Sequence, residues 1–205
     1  MGIPIMILGP SGSGKSASMR NFTKEEVGII NVAGKPLPFK TDIPTFNCYD
    51  YAKIGEVLRK NTLKAYVIDD SQYLMAFAMF QRAYEKGYEK FTQFAVDFKL
   101  LLDTVTWGTS NDTVVYFLHH TETDELGNIK AKTVGKMLDE KLTLEGLFSV
   151  VLLAQTDGEK YTFLTNGRPP IKSPIGMFED KEIPNDLKMV DSAIRSYWNL
   201  GKAEK

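Results

Sequence analysis

Gly9-Pro10-Ser11-Gly12-Ser13-Gly14-Lys15-Ser16 is the stretch on which the fold turns. It fits the phosphate-loop (P-loop) pattern G-x-x-x-x-G-K-[ST] at every fixed position. Ile3 to Leu8 come before it, short and apolar as a buried strand is. Ala17 to Phe22 come after it, with neither proline nor glycine, and are expected to open a helix. The residue types suit an anion. Gly9, Gly12 and Gly14 let the backbone turn tightly and approach a phosphate. Backbone N–H groups and the helix start then face it. Lys15 brings a point charge to the β- and γ-phosphates, and the Ser16 hydroxyl is a ligand for Mg²⁺. The candidates for holding the nucleotide are Gly9, Pro10, Ser11, Gly12, Ser13, Gly14, Lys15, Ser16 and Ala17.

The next chemistry lies at Ala65-Tyr66-Val67-Ile68-Asp69-Asp70, an apolar strand that ends in two carboxylates. This has the form of a Walker B element. In an open parallel sheet, ligands bind at the C-terminal ends of the strands. Asp69 is therefore expected to hold Mg²⁺ through water, and Asp70 to orient or deprotonate an attacking water. Used structurally, the same pair is a turn or helix cap.

A further buried strand, Thr113 to Leu118, ends in His119-His120-Thr121. One histidine there is placed to sense the γ-phosphate. Strand alternation sends the two to opposite faces, so at most one reaches the site. Structural hydrogen bonding is the plainer use of both.

Between these anchors, Val27 to Val32 reads as a second strand. Gly34-Lys35-Pro36-Leu37-Pro38-Phe39 reads as a loop or edge excursion. Tyr51 to Lys60 has helical spacing at Ile54, Val57 and Leu58. Gln72 to Trp107 reads as two helices interrupted at Gly87, the second with an apolar face from Phe91 to Val105. Tyr73, Phe77, Phe80, Tyr84 and Tyr88 are less regular and fit either core or a subunit contact. Ile129 to Lys136 is a loop with Lys130, Lys132 and Lys136 close together. Gly146 to Leu153 reads as a fifth strand, and Thr156-Asp157-Gly158-Glu159 turns it into an antiparallel strand, Tyr161 to Thr165. Asn166 to Pro174 is a proline-rich connection that carries Arg168 and Lys172. A last helix starts at Pro184-Asn185-Asp186, capped by Asn185 or Asp186.

Counting these elements gives an α/β fold with a mostly parallel sheet. A strand and a helix separate the P-loop strand from the Walker B strand. That suits the RecA/AAA-type branch, with expected strand order 5-1-4-3-2 and an added antiparallel edge strand. At 205 residues the chain is expected to be a single domain over 1–205, with a core to about 168 and a C-terminal loop and helix at 169–205. Net charge is −1, which gives no global basic field for autonomous DNA binding. The one cysteine, Cys48, rules out a disulfide framework within the chain. No apolar run approaches a membrane span, and the N-terminus lacks a basic leader, so a cytoplasmic protein is expected.

The chain resembles the phage-encoded RecA-like P-loop ATPases, AAA-domain ATP-binding proteins of phage recombination and replication modules. The resemblance rests on residues 9–16, Gly34 to Phe39, Val67-Ile68-Asp69-Asp70-Ser71-Gln72-Tyr73-Leu74 and Leu118-His119-His120-Thr121-Glu122. Lys132-Thr133-Val134-Gly135-Lys136 and Asn166-Gly167-Arg168 to Phe178 complete it. It implies ATP and Mg²⁺ as ligands. It also implies hydrolysis coupled to DNA recombination, annealing or replication, in a homo-oligomer that meets single-stranded DNA and phage recombination proteins. Such ATPases often complete the site with a neighbour's cation, for which Lys130, Lys132, Arg168 and Lys172 are candidates. Many of them keep the catalytic carboxylate on another strand, which bears on Asp70. Two other functions fit the motifs, a nucleotide kinase and a slow or non-hydrolysing nucleotide-binding assembly factor. The arginines are too dispersed for a kinase lid, and no Asn-Lys-x-Asp segment points to guanine.

Overall fold

Strand β1 (Ile3–Gly9) is the central strand of the sheet, and four of its side chains explain how the layers form. Ile5 and Ile7 point to one face, Met6 and Leu8 to the other, and all four are fully buried. A strand with both faces covered reads as a continuous apolar run, as this one does. The structure is a computed structural model and describes residues 1–125, 127–134 and 143–201.

In chain order, β1 is followed by a six-residue 3-10 helix, Ser16–Asn21, then β2 (Val27–Asn31) and β3 (Thr45–Asn47). Helix α1 (Tyr51–Arg59), β4 (Ala65–Asp69), α2 (Gln72–Gln81) and α3 (Glu89–Gly108) come next. Then follow β5 (Val114–Thr123), β6 (Ile129–Ala131), a short 3-10 helix (Leu144–Leu147), β7 (Val151–Thr156) and β8 (Tyr161–Leu164). The described chain closes with β9 (Glu182–Pro184) and α4 (Leu187–Tyr197). Among the described residues the strands run in the order β3-β2-β4-β5-β1-β7-β8-β9, with β6 paired to β5. The pairs from β3 through to β7 are parallel; β5–β6, β7–β8 and β8–β9 are antiparallel.

The architecture is thus α/β with a mostly parallel sheet flanked by helices. The strand order differs from the expected one, because short strands extend the sheet on both sides. Strand β3 adds one edge and β9 the other, so the antiparallel β8 is interior. Three-residue strands carry too little periodicity to be read from sequence. From the C-terminal segment 169–205, β9 pairs with β8 in the same sheet.

Other expectations shift for local reasons. The segment after the glycine-rich loop is a 3-10 helix, ended at Phe22, whose backbone is extended and whose N–H reaches Met19 O. Ser18 Oγ donates to Lys15 O at 2.6 Å, the competing local bond that makes serine a poor residue for a helix interior. Strand β5 does not end at the histidines but runs to Thr123 and folds back through Gly127 (φ +82°) onto β6. Residues 144–147 form a 3-10 helix, and β7 begins only at Val151. Gly135 and Lys136 of the expected basic loop, and the tail Lys202 to Lys205, lie outside the described residues.

Helices α1, α2 and α3 cover the Met6/Leu8 face. Ile54 and Leu58, Leu74 and Met75, and Phe98, Leu101 and Val105 pack there against Ile68, Val115 and Phe117. Helix α4 and the first 3-10 helix cover the other face, where Met19, Leu187, Val190 and Ile194 meet Val67, Leu118 and Leu152. Asp186 caps α4 by accepting from the N–H groups of Lys188 and Met189, which resolves the choice between Asn185 and Asp186.

Charge as well as apolar packing seats α4. Tyr116, fully buried on β5, donates its hydroxyl to Asp191 Oδ1 at 2.7 Å. Arg195 Nε donates to Asp191 Oδ2 at 2.6 Å, and its remaining nitrogens reach Asp112 O and Lys64 O, just before β5 and β4. Burial, together with the neighbouring Asp191 carboxylate, pushes the Tyr116 phenol well above its ordinary pKa, so it stays a donor. Asp191→Ala strands a buried phenol and a guanidinium. The expected loss of stability is about 3–5 kcal/mol, read as a lower urea midpoint at unchanged slope.

Candidate functional site

The C-terminal ends of β1, β2, β4 and β5 converge on the glycine-rich loop. A cavity of about 300 Å³ opens there, lined on the loop side by Ser11, Gly12, Gly14, Lys15, Ser16 and Ala17. The facing wall is Lys35, Pro36, Pro38, Asp70, His120 and Tyr161. Gly12 (φ +81°) and Gly14 (φ +85°) occupy the left-handed region, which only glycine enters without strain. A Cβ on Gly14 would also lie 2.7 Å from the Tyr161 ring. Gly9, Pro10 and Ser13 do not line the cavity. The Gly9 and Pro10 carbonyls instead hold Lys15 Nζ, each at 2.8 Å. Ser13 turns inward, its hydroxyl buried with no hydrogen-bond partner among the described residues.

Asp69 is 1% exposed and accepts a 2.8 Å hydrogen bond from Ser16 Oγ. Burial raises its pKa to about 6; the adjacent Asp70 adds to the rise and the Ser16 hydroxyl opposes it. Lys15 moves the other way. Burial lowers it to about 8, against the pull of Asp70 and Asp69. The site thus holds a carboxyl group and an ammonium group that are both poorly solvated, and a phosphate–cation pair would relieve both.

Asp70 differs from its neighbour. It is a non-glycine residue with φ +59°, which ends β4 abruptly and aims its carboxylate into the cavity wall. Strain of this kind concentrates at functional sites. Lys35 Nζ lies 2.5 Å from Oδ2, and His120 Nε2 lies 3.1 Å from Oδ1. Burial alone would raise the Asp70 pKa, but the hydrogen bonds from His120 and Lys35 outweigh it and hold the carboxyl below its ordinary value. Asp70 in turn raises Lys35, chiefly by that same contact.

The two histidines part company, as strand alternation requires. His120 joins the cavity, its ring edge-on to Tyr73 at 5.5 Å. His119, the other candidate for that sensing role, does not. It is fully buried on the opposite face against Phe98, with Nε2 2.8 Å from Lys132 O and Nδ1 2.9 Å from Ser71 Oγ. A carbonyl only accepts, which assigns the ring proton to Nε2 and makes Ser71 the donor to Nδ1.

The cations named as candidates for a shared site also lie away from the cavity lining. The Lys132 side chain is exposed, and its backbone N–H bonds His120 O. Lys130 pairs with Glu122 at 2.9 Å across β5 and β6. Arg168 is exposed on its loop. The Lys172 backbone bridges Val151, level with Met6 rather than with Gly9.

Lys35 is the site residue that the sequence reading left unassigned. Asn31, buried at the end of β2, positions it. Its Nδ2 donates to Lys35 O at 2.7 Å and its Oδ1 accepts from Gly34 N at 3.0 Å. The available signal was a Gly-Lys-Pro turn directly after a strand, on the ligand-binding edge of the sheet. Tyr161 was likewise read only as a strand residue. Among the described residues, no group of three or more His, Cys, Asp or Glu is placed to hold a metal ion. No described helix is long and apolar enough to cross a membrane.

No family model matches this chain, and no curated protein matches its sequence.

Burial of His119 makes a pH prediction. Its pKa falls to about 4 from an ordinary 6.5, first because of burial. Between those values the unfolded chain binds the proton and the folded one does not, so this contribution is lost as pH falls from about 6.5 to about 4. The full effect is about 3 kcal/mol. Asp69, raised by burial, has the opposite sign across about pH 4 to 6. The comparison that isolates His119 is therefore wild type against His119→Gln. The urea-derived stability of the variant should change less between pH 7 and pH 4.5.

Proposed function

We propose that this chain is a Mg²⁺-dependent ATPase of RecA-like type, working in phage DNA recombination, annealing or replication. One observation carries the reading. Ser16 Oγ, at the end of the glycine-rich loop, and Asp69 Oδ1, at the end of β4, are hydrogen-bonded at 2.8 Å although 53 residues apart. A hydroxyl and a carboxylate joined beside a phosphate loop are the protein half of a nucleotide-bound Mg²⁺ site. The fit is chemical as well as spatial: both donors are oxygens, and a cation would favour the ionised form of an Asp69 that burial disfavours. Held by Ser16 and Asp69, Mg²⁺ would supply charge neutralisation for the bound phosphates.

The chain's own residues then have distinct tasks. The loop backbone cradles the phosphates, and Lys15 exchanges its carbonyl partners for phosphate oxygens. Water attacks the γ-phosphorus as the bond to the β–γ bridging oxygen breaks, both of its protons stay with the released phosphate, and ADP and phosphate leave. Asp70 and His120 orient that water. A carboxylate held below its ordinary pKa is a weak base, so orientation suits Asp70 better than deprotonation. Support for the RecA-like assignment comes from β1 lying between β5 and β7, all parallel, with the carboxylate strand β4 one strand further. The DNA role rests on the resemblance of motifs. A homo-oligomer in which Lys132, Arg168 or Lys172 approaches a neighbouring molecule's site belongs to the same proposal.

Phosphate release from ATP, measured with and without Mg²⁺, single-stranded DNA and nucleoside monophosphates, tests it. Release that needs Mg²⁺ and rises with DNA is the expected result. Lys15→Ala should lower it by about 100-fold or more with an unchanged circular dichroism spectrum, as loss of a charge-stabilising donor does. Transfer of phosphate to a monophosphate would replace the ATPase with a kinase. Absence of ATP binding would end the proposal.

A further inference from the structure

Lys35 stands out among the charged groups of the cavity. Lys15 is nearly buried and tied to two carbonyls of its own loop. The Lys35 side chain is 55% exposed, yet its ammonium lies 2.5 Å from an Asp70 carboxylate that is only 3% exposed. Its backbone is held by Asn31, and its side chain lines the same cavity as Gly12 and Ser16. A lysine so placed has an anchored base, a long and half-exposed side chain, and an anion for a partner.

We propose that Lys35 is the in-chain cation for the terminal phosphate of a bound nucleoside triphosphate, and that it passes from Asp70 to that phosphate when the triphosphate enters. The inference rests on the ATPase reading above and assigns a group that reading leaves open. The exchange is one of ionic partners only, with no bond made or broken. A γ-phosphate is a stronger partner than Asp70, since it offers three charged oxygens that an ammonium can address. A diphosphate ends one phosphate short and leaves Lys35 on Asp70. Lys35 therefore distinguishes ATP from ADP, and the departing cation leaves Asp70 with His120 alone as its partner and with an oxygen released toward water. Proline at 36 and 38 stiffens the loop, so the motion belongs to the side chain rather than to the backbone. Because the cation is the chain's own, terminal-phosphate recognition needs no neighbour, and any cation from a second subunit acts in addition.

The experiment measures affinities of MgATP and MgADP for wild type, Lys35→Met and Lys35→Arg by titration calorimetry, together with turnover. In wild type, ATP should bind about tenfold more tightly than ADP, the scale of one charge-assisted hydrogen bond. Lys35→Met should lower that ratio several-fold, with ADP affinity within about twofold of wild type, and turnover should fall with it. Lys35→Arg keeps an ion pair with Asp70 and should retain most of the preference. Mixing Lys35→Met with Lys15→Ala should restore no turnover, because each chain still lacks one cation of its own site. An unchanged ATP-to-ADP ratio in a Lys35→Met protein that binds both nucleotides overturns the inference alone. Turnover regained on mixing also overturns it, by placing the cation in trans. A wild type that binds neither nucleotide overturns the ATPase reading and this inference together.

Discussion

Two carboxylates on consecutive residues, both nearly without solvent, set the terms for everything around them. Placing Asp69 and Asp70 side by side at the end of β4 is unfavourable by like-charge repulsion and by burial. The fold answers with a different partner for each. Asp69 has the Ser16 hydroxyl from the loop after β1, and Asp70 has an ammonium from the loop after β2 and an imidazole from β5. Three elements are thereby referred to one strand end. The left-handed backbone at Asp70 lets both side chains serve the same edge, which a regular extended strand would prevent. The carboxylates thus have opposite characters, the pKa of Asp69 raised by burial to about 6 and that of Asp70 held below its ordinary value by its partners.

What the sequence made legible follows from the range of the interactions involved. The loop from Gly9 to Ser16 and the strand into Asp69 and Asp70 are local patterns whose residue types have few other uses, and both stand at the cavity. Strands such as Ile3–Gly9 and Ala65–Asp69 were readable because burial on both faces leaves a continuous apolar run. Strands β3, β6 and β9 were not, since three residues show no period and exist only through a partner elsewhere in the chain. The helix expected after the loop is present but short and of 3-10 type, with the Ser18 hydroxyl bonded back to Lys15 O, a detail that only coordinates reveal. Lys35 was hidden because its meaning depends on Asp70, a residue distant in sequence. Strand alternation limits the site to one of the two adjacent histidines, and which one depends on how β5 sits in the sheet, which places His120 at the cavity and His119 in the core.

The two faces of the sheet are held by different means, and the contrast matters for the site. Helices α1 to α3 pack by apolar area and carry no side chain into the cavity lining. The opposite face adds a directional network, Tyr116 to Asp191 to Arg195, that ends on the carbonyls of Lys64 and Asp112. Those carbonyls stand immediately before β4 and β5, the strands whose far ends carry Asp69, Asp70 and His120. Fixing the register of the two strands at their starts fixes the relative height of the site groups at their ends.

The central position of β1 also has a bearing on how the molecule assembles. Ile3 pairs with Val114 and Met6 with Val151, so both neighbours of β1 come from distant parts of the chain. Chain topologies dominated by such distant parallel pairings fold slowly, because loop closure must be met before the contacts reward it. In the interval, Ile5-Met6-Ile7-Leu8 is an unpartnered apolar segment, open to association with other chains. The glycine-rich loop next to it gains its final shape only when β5 and β7 arrive, so this edge of the sheet depends on pairings that are distant in the chain.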